Sequence, residues 1–320
     1  MIPRVSVIIP LKEITRYLLE ALPYHEVLDG GPYEILVLPD HEASGDIRGV
    51  RLIATGPVGP AEKRDVGAKQ AGGGILAFID DDAYPRADWL TNGLRHFDDP
   101  RVAAVGGPAV TPATDSLLQR ASGAVYTSRL GGGPYAYRYL PIGPVREIDD
   151  FPTVNLIVRK VAFEEVGGFD THFWPGEDTK FCLDLVRKGW KIIYDPDVMV
   201  WHHRRASLIG HVKQIWRYAV HRGHFARRFP ETSRRISYAL PSLLVAFLVA
   251  GGFLVDGPLH DLYALGVTAY GGALFLSGAH EGIRHRDVGL GLLVVPGIFL
   301  THVVYGLGFA AGLLKPELRR

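Results

Sequence analysis

A single cysteine, Cys182, occurs in 320 residues. That excludes an intramolecular disulfide framework and a cysteine-based zinc centre. An excess of one charge is also missing. With 35 Lys and Arg against 34 Asp and Glu, the net charge is +1, so no global field draws the chain to nucleic acid, and no nucleic-acid partner is expected. The N-terminal stretch "MIPRVSVIIPLKEI" has only a short apolar run, broken by Pro10 and followed at once by charge. It is not a signal-peptide pattern, and the first domain is expected in the cytosol.

The C-terminal region lacks charge altogether over long stretches. Residues 238–255, 262–279 and 288–314 contain no Asp, Glu, Lys or Arg. About 20 apolar residues cross a bilayer as a helix, so three such segments in succession predict membrane spans rather than buried helices of a soluble core. The third carries Pro296-Gly297. Just before them, residues 201–235 hold nine Lys and Arg against one acid, Glu231, together with His202, His203, His211, His221 and His224. A basic segment beside a span favours the cytosolic side and anionic headgroups. The predicted organisation is a soluble domain over 1–200, a basic interfacial segment over 201–235 and a helical membrane region over 236–320. The protein is then a multi-pass protein of the cell membrane, in contact with its lipids, with the soluble domain on the cytoplasmic face.

Within the soluble domain, apolar runs alternate with a helical pattern. "VSVIIP" (5–10), "EILVLPD" (34–40) and "VRLIA" (50–54) suit buried strands. "PAEKRDVGAKQAGGG" reads as a helix opened by Pro60 and closed by glycines, and "ILAFIDDD" (75–82) as a fourth strand. Such alternation predicts a mostly parallel sheet with helices on both faces, in which ligands bind beyond the carboxyl ends of the strands. Asp40 and Asp80–Asp82 lie at such ends. Three adjacent carboxylates repel one another. Either a solvated turn or a divalent cation with oxygen ligands accommodates them, and the position at a strand end favours the cation.

Two further stretches agree. "FWPGEDTKFCLDLVRKGW" places Glu177 and Asp178 at a helix start, where free N–H groups and the helix dipole stabilise carboxylates. Either acid can be a simple cap, and the adjacent pair can supply a general base. After the strand-like "KIIYDPDVMV" comes "WHHRR", with His202 and His203. Imidazole is a common metal ligand and titrates near neutrality.

In this order the motifs resemble a family 2 glycosyltransferase of the GT-A fold, over about residues 4–225. "VSVIIP" resembles the family's opening strand, "VLPD" its second strand, and "AEKRDVGAKQAGGGILAFIDDDAYP" its long signature. "VGGFDTHFWPGEDTKFCLDLVRKGWKIIYDP" resembles the acceptor loop with its Glu-Asp pair. The resemblance implies an α/β, Rossmann-like nucleotide-diphospho-sugar transferase domain followed by the membrane helices. It further implies an inverting, metal-dependent transfer from a nucleotide-diphosphate sugar to a lipid-linked or membrane-proximal acceptor, in cell-envelope glycan or glycolipid synthesis. Asp178 is then the base, with Glu177 beside it. Pro10, Asp40 and Arg64 contact the donor, and Asp80 or Asp81 faces the ribose. Asp82 and Asp80 ligate magnesium or manganese, with His202 and His203 near the metal or diphosphate.

"QIWRY" is similar to the QxxRW motif of processive polysaccharide synthases, with Gln214 and Arg217 toward the diphosphate and Tyr218 in the Trp place. Its alternative is an amphipathic helix anchored at the membrane surface by Trp216 and Tyr218. Three departures concern the donor side. Asp65 stands where the signature carries Asn, "LKEITRYLLEAL" lacks the usual small polar loop, and "PDHEASGD" replaces an Asp-rich turn. Residues 106–155, rich in Gly and Pro, are expected to hold much of acceptor recognition. Nucleotidyl transfer on the same fold is disfavoured, because "PLKEITRYL" lacks a Gly-rich, Arg-containing loop after the first strand. A processive synthase and a non-catalytic nucleotide-sugar scaffold are the remaining alternatives. The scaffold would be expected to lose acids that are all present.

Overall fold

The computed structural model describes residues 4–42, 45–251, 253 and 256–317. Eleven strands are present among them: β1 Val5–Pro10, β2 Tyr33–Leu38, β3 Arg51–Leu52, β4 Ile75–Ile79, β5 Ala83–Pro85, β6 Val102–Gly106, β7 Ala109–Val110, β8 Arg146–Ile148, β9 Asn155–Arg159, β10 Lys191–Tyr194 and β11 Val200–His202. The α-helices are α1 Arg16–Glu26, α2 Pro60–Gln70, α3 Trp89–Leu94, α4 Leu117–Thr127, α5 Lys160–Glu165, α6 Glu177–Arg187, α7 Leu208–Arg228, α8 Pro230–Ser233, α9 Ile236–Gly251, α10 Pro258–His285 and α11 Val288–Leu314.

Strands β1 and β4 are buried at every position. Apart from Ser6 they read as apolar runs because both faces are covered. They lie at the centre of an eight-stranded sheet ordered β3-β2-β1-β4-β9-β6-β10-β8. The pairs β1–β2, β1–β4, β2–β3 and β6–β10 are parallel. However, β9 runs antiparallel between β4 and β6, and β8 runs antiparallel to β10. The sheet is thus mixed rather than simply parallel. A parallel neighbour needs a crossover, usually a helix, whereas the chain reaches β9 through residues 111–154 and enters from the opposite end. A second sheet, β5-β11-β7, pairs Ala83 with His202 and so sets β11 beside the end of β4. Buried Asn155 ties these parts together. It accepts from Trp89 Nε1 at 2.8 Å and donates to the carbonyls of Gly107 and Val198, each at 2.7 Å.

The chain divides into two compact units. One contains the sheets, up to Val110 and from Leu140 to His203. The other contains Thr111–Tyr139 and the chain from Arg204 onward. In the second unit, Ala121, Ala124 and Val125 of α4 pack with Leu290, Val294 and Ile298 of α11. His211 of α7 bridges Ser122 of α4 (2.8 Å) and Thr301 of α11 (2.9 Å). Segment 111–139, placed by sequence with the soluble domain, therefore packs with the C-terminal helices. Its entry is a capping box, Ser116 with Gln119.

Helices α10, of 28 residues, and α11, of 27, are long and apolar enough to cross a membrane, with hydropathies of 1.3 and 2.0. Helix α9 has 16 residues and is shorter than a span. Positions 252, 254 and 255 of its apolar segment lie outside the described residues.

Helix α1 buries His25 completely in the first unit, and neither ring nitrogen has a hydrogen-bond partner there. Burial disfavours the imidazolium and pushes its pKa down to about 4. In the unfolded chain the ring titrates near 6.5. As pH falls through that value the unfolded state takes up the proton first, so stability is lost between about 6.5 and about 4 and changes no further below. Over that window His25 is expected to remove about 3 kcal/mol, and His25→Leu is expected to flatten this part of the decline. Unfolding midpoints measured at steps across the window check it. Identical pH slopes for the two proteins would contradict the assignment.

Candidate functional site

Helix α2 carries two buried cations, Lys63 and Arg64, on the face turned to the sheet. A buried charge needs a partner, and each finds acids at strand or helix ends. Lys63 Nζ lies 2.7 Å from Asp40 Oδ1, just beyond β2. The Arg64 guanidinium donates from one nitrogen to Asp80 Oδ1 at 2.7 Å and from the other to Glu177 Oε1 at 3.0 Å. The acid triplet after β4 and the acid pair that opens α6 thus share one cation.

The three triplet acids face three different groups. Asp80 is held by Arg64. Asp81 Oδ2 accepts from Thr15 Oγ1 at 2.9 Å, and the same hydroxyl caps α1 by accepting from Leu18 N–H at 3.1 Å. Asp82 Oδ1 lies 3.1 Å from His202 Nε2. The imidazole of His203 is directed instead to Glu20, at 3.4 Å, and to the Tyr17 ring, 4.7 Å between centroids. Side chains alternate along a strand, so the two histidines at the end of β11 take opposite sides. Burial pushes Asp81 up to about 6, and Asp82 beside it adds to the shift. Burial, then the Asp178 charge, likewise raises Glu177 above the usual carboxylate range, against the pull of Arg64. These acids are short of positive charge.

A divalent ion fits that deficit. An oxygen and an imidazole nitrogen face each other at Asp82 and His202, a donor set suited to manganese, while magnesium is usually bound by one or two carboxylates with phosphate oxygens completing the shell. Among the described residues no group of three or more His, Cys, Asp or Glu side chains is arranged to hold a metal. An ion there would therefore take its remaining ligands from substrate and water.

Asp178 follows Glu177 in the first turn of α6, half-buried, with Oδ1 accepting from Thr179 N–H at 2.7 Å. Pro10 ends β1, buried opposite Leu38 of β2. A pocket of about 420 Å³ opens between the β1–α1 segment and the end of β2, lined by Lys12, Glu13, Ile14, Pro39, His41 and Ile47 among others. Asp40 turns away from it to Lys63. Gln214, Arg217 and Tyr218 belong to the other unit, on α7, with Arg217 and Tyr218 exposed. The contacts that assemble the acid site all lie within the first unit. Sequence reading missed Lys63 and Thr15. The signal for Lys63 was a charged residue beside Arg64 on a helix facing a buried sheet. Thr15 lies in the segment that had seemed only to lack a polar loop.

A mixed sheet with carboxylates at its strand ends and an acid pair opening a helix nearby defines a GT-A-type domain. The chain belongs to glycosyl transferase family group 2, whose family model matches residues 75–304. A pre-mycofactocin glycosyltransferase of Mycobacterium tuberculosis is 29% identical over 195 residues, which is 61% of this chain and 40% of that protein. The chain thus spans well under half of that relative. A Methanococcus voltae protein, named dolichyl N-acetyl-α-D-glucosaminyl phosphate 3-β-D-2,3-diacetamido-2,3-dideoxy-β-D-glucuronosyltransferase, is 24% identical over 257 residues, 78% of this chain and 74% of its own. Among solved structures, the mannosyltransferase PcManGT from Pyrobaculum calidifontis, in complex with GDP-Man and Mn2+, superposes with a TM-score of 0.62 at 21% identity, covering 99% of this chain and 89% of that one. That likeness establishes the shared fold.

Arg64→Met leaves Glu177 buried without its cation. Breaking one side of a buried ion pair typically costs about 3–5 kcal/mol, and a loss near the lower figure is expected because Glu177 can take up a proton. Arg64→Lys, a point charge without the forked donors, should fall between. Urea unfolding checks both, and an unchanged midpoint in Arg64→Met would contradict the bridging role.

Proposed function

We propose that this protein is a membrane-associated, metal-dependent, inverting glycosyltransferase that uses a nucleotide-diphosphate sugar and a lipid-linked or membrane-proximal acceptor, in cell-envelope glycan or glycolipid synthesis. The observation that carries it is the Arg64 bridge, which ties the Asp80–Asp82 strand end to the Glu177–Asp178 helix start in one site. Asp82 and His202 would hold the ion, with Asp80 nearby. When bound, a divalent ion supplies Lewis-acid neutralisation of the charge that develops on the leaving diphosphate.

The chain's own residues do the rest. Asp40 and Pro10, at neighbouring strand ends, would contact the donor, and Asp80 or Asp81 would face the ribose. Arg64 holds Asp80 and Glu177 in fixed relation. Asp178, in the first turn of α6, takes the proton from the acceptor hydroxyl as that oxygen attacks the anomeric carbon. The bond to the diphosphate breaks on the opposite face. One base and one displacement give inversion. Gln214, Arg217 and Tyr218 are candidates for acceptor or diphosphate contacts, and His203 supports β11 through Glu20.

Membrane attachment through α10 and α11 is supported by their exposed apolar side chains, including Leu259, Leu262, Leu265, Phe275, Leu276 and Leu292. A soluble protein rarely exposes so much contiguous apolar surface. The basic residues of 201–235 favour the cytoplasmic face for the catalytic unit. The M. voltae relative, whose name specifies a dolichyl-linked sugar phosphate, supports a lipid-linked acceptor, and the Mn2+ and GDP-Man of the Pyrobaculum complex support the donor and metal classes.

Asp178→Asn preserves shape and removes the proton acceptor. Transfer is expected to fall by about 10²–10⁴-fold with nucleotide-sugar affinity near wild type. Asp82→Asn is expected to weaken Mn2+-dependent nucleotide-sugar binding instead. Steady-state transfer and calorimetric binding separate the two. Wild-type transfer by Asp178→Asn, or full activity in chelator, would refute the corresponding role.

A further inference from the structure

Segment 169–177 leads from Phe169 to the Glu177–Asp178 pair, and both of its ends are held by consecutive residues of α2. Arg64 binds Glu177 at the far end. At the near end, Asp65 Oδ1 accepts from the Phe169 backbone N–H at 3.0 Å. The approach depends on Gly168, whose φ is +79° and where a Cβ would lie 2.7 Å from Asp65 Oδ1. The Phe169 side chain is buried, with its ring 4.9 Å from Phe181 and 5.4 Å from Phe78 and Phe163, and with the Arg64 guanidinium 5.9 Å from its centroid. Between the two anchors His172 and Trp174 are exposed, Trp174 to 45%.

From this geometry we infer that Asp65 is a positioning residue, which together with Arg64 clamps both ends of segment 169–177 and so fixes the start of α6 that carries Asp178. The inference builds on the base assignment above, yet it concerns a separate contact. The role needs an oxygen acceptor at residue 65, not a charge. Asn keeps that oxygen, and Asn is what the resembled signature carries at this position. Ala removes it and leaves the Phe169 N–H without its partner. Gly168→Ala reaches the same end from the other side, because its Cβ and positive φ both oppose the approach.

The test is amide hydrogen exchange of the full-length protein in detergent, comparing wild type, Asp65→Asn, Asp65→Ala and Gly168→Ala. Loss of one such hydrogen bond corresponds to about tenfold faster local exchange. That acceleration is expected over 169–176 in Asp65→Ala and Gly168→Ala, with wild-type rates in Asp65→Asn and unchanged rates in β1 and β4 of all four. Unchanged exchange over 169–176 in Asp65→Ala would overturn the clamp. So would equal acceleration in Asp65→Asn, or acceleration spreading to β1 and β4, which would make Asp65 a general stability residue. Wild-type transfer by Asp178→Asn alongside the expected exchange pattern would leave the clamp standing and remove only the base.

Discussion

The Arg64 guanidinium is almost fully buried, and a buried cation persists only if its hydrogen-bond donors find acceptors. Its two terminal nitrogens reach acids contributed by distant parts of the chain, Asp80 after β4 and Glu177 at the start of α6. A planar, forked cation presents donors on separate nitrogens and so satisfies two separated carboxylates at once, whereas a lysine offers all its donors from one point. The rest of the site is arranged around that constraint. Fixing Asp80 leaves its neighbours to diverge, Asp81 to Thr15 and Asp82 to His202. Fixing Glu177 places Asp178 one residue further into the first turn of a helix.

This arrangement also accounts for the raised pKa of Asp81. Arg64 is engaged by Asp80, while Asp81 is half-buried beside Asp82 and accepts from the Thr15 hydroxyl, so burial first and the Asp82 charge second raise it. Such a cluster is costly unless positive charge is added, so a donor bringing a divalent ion would stabilise the site as it bound. The adjoining Lys63–Asp40 pair is self-sufficient by comparison, and its lysine also donates to Thr55 Oγ1 at 2.5 Å.

Much of the candidate site was legible in the sequence because its residues are adjacent in sequence. Asp80–Asp82, Glu177–Asp178 and His202–His203 are adjacent residues at the ends of recognisable strands and helices. What was not legible is pairing across the fold. Nothing in "LKEITRYL" shows that Thr15 meets Asp81, and nothing in "KRD" shows that Asp65 meets Phe169, because both contacts depend on strand order. The reversal of β9 was hidden for the same reason, since its residues suit either direction. Segment 111–139 was misplaced for a different one. Its helix α4 has a short apolar face whose partner, α11, lies more than 160 residues away, and only the Ser116–Gln119 cap marked the helix at all.

A double-mutant cycle between Arg64 and Glu177 tests the central interaction most directly. Arg64→Met leaves Glu177 buried without its cation, and Glu177→Leu removes one of the two acids that Arg64 holds, whereas the double variant replaces both partners with apolar groups. The bridge predicts that the double variant is more stable than the sum of the single losses implies, with a coupling of about 1–3 kcal/mol in urea unfolding. Additivity within about 0.5 kcal/mol would show that the two residues do not interact energetically, and the site would then have to be organised by something else.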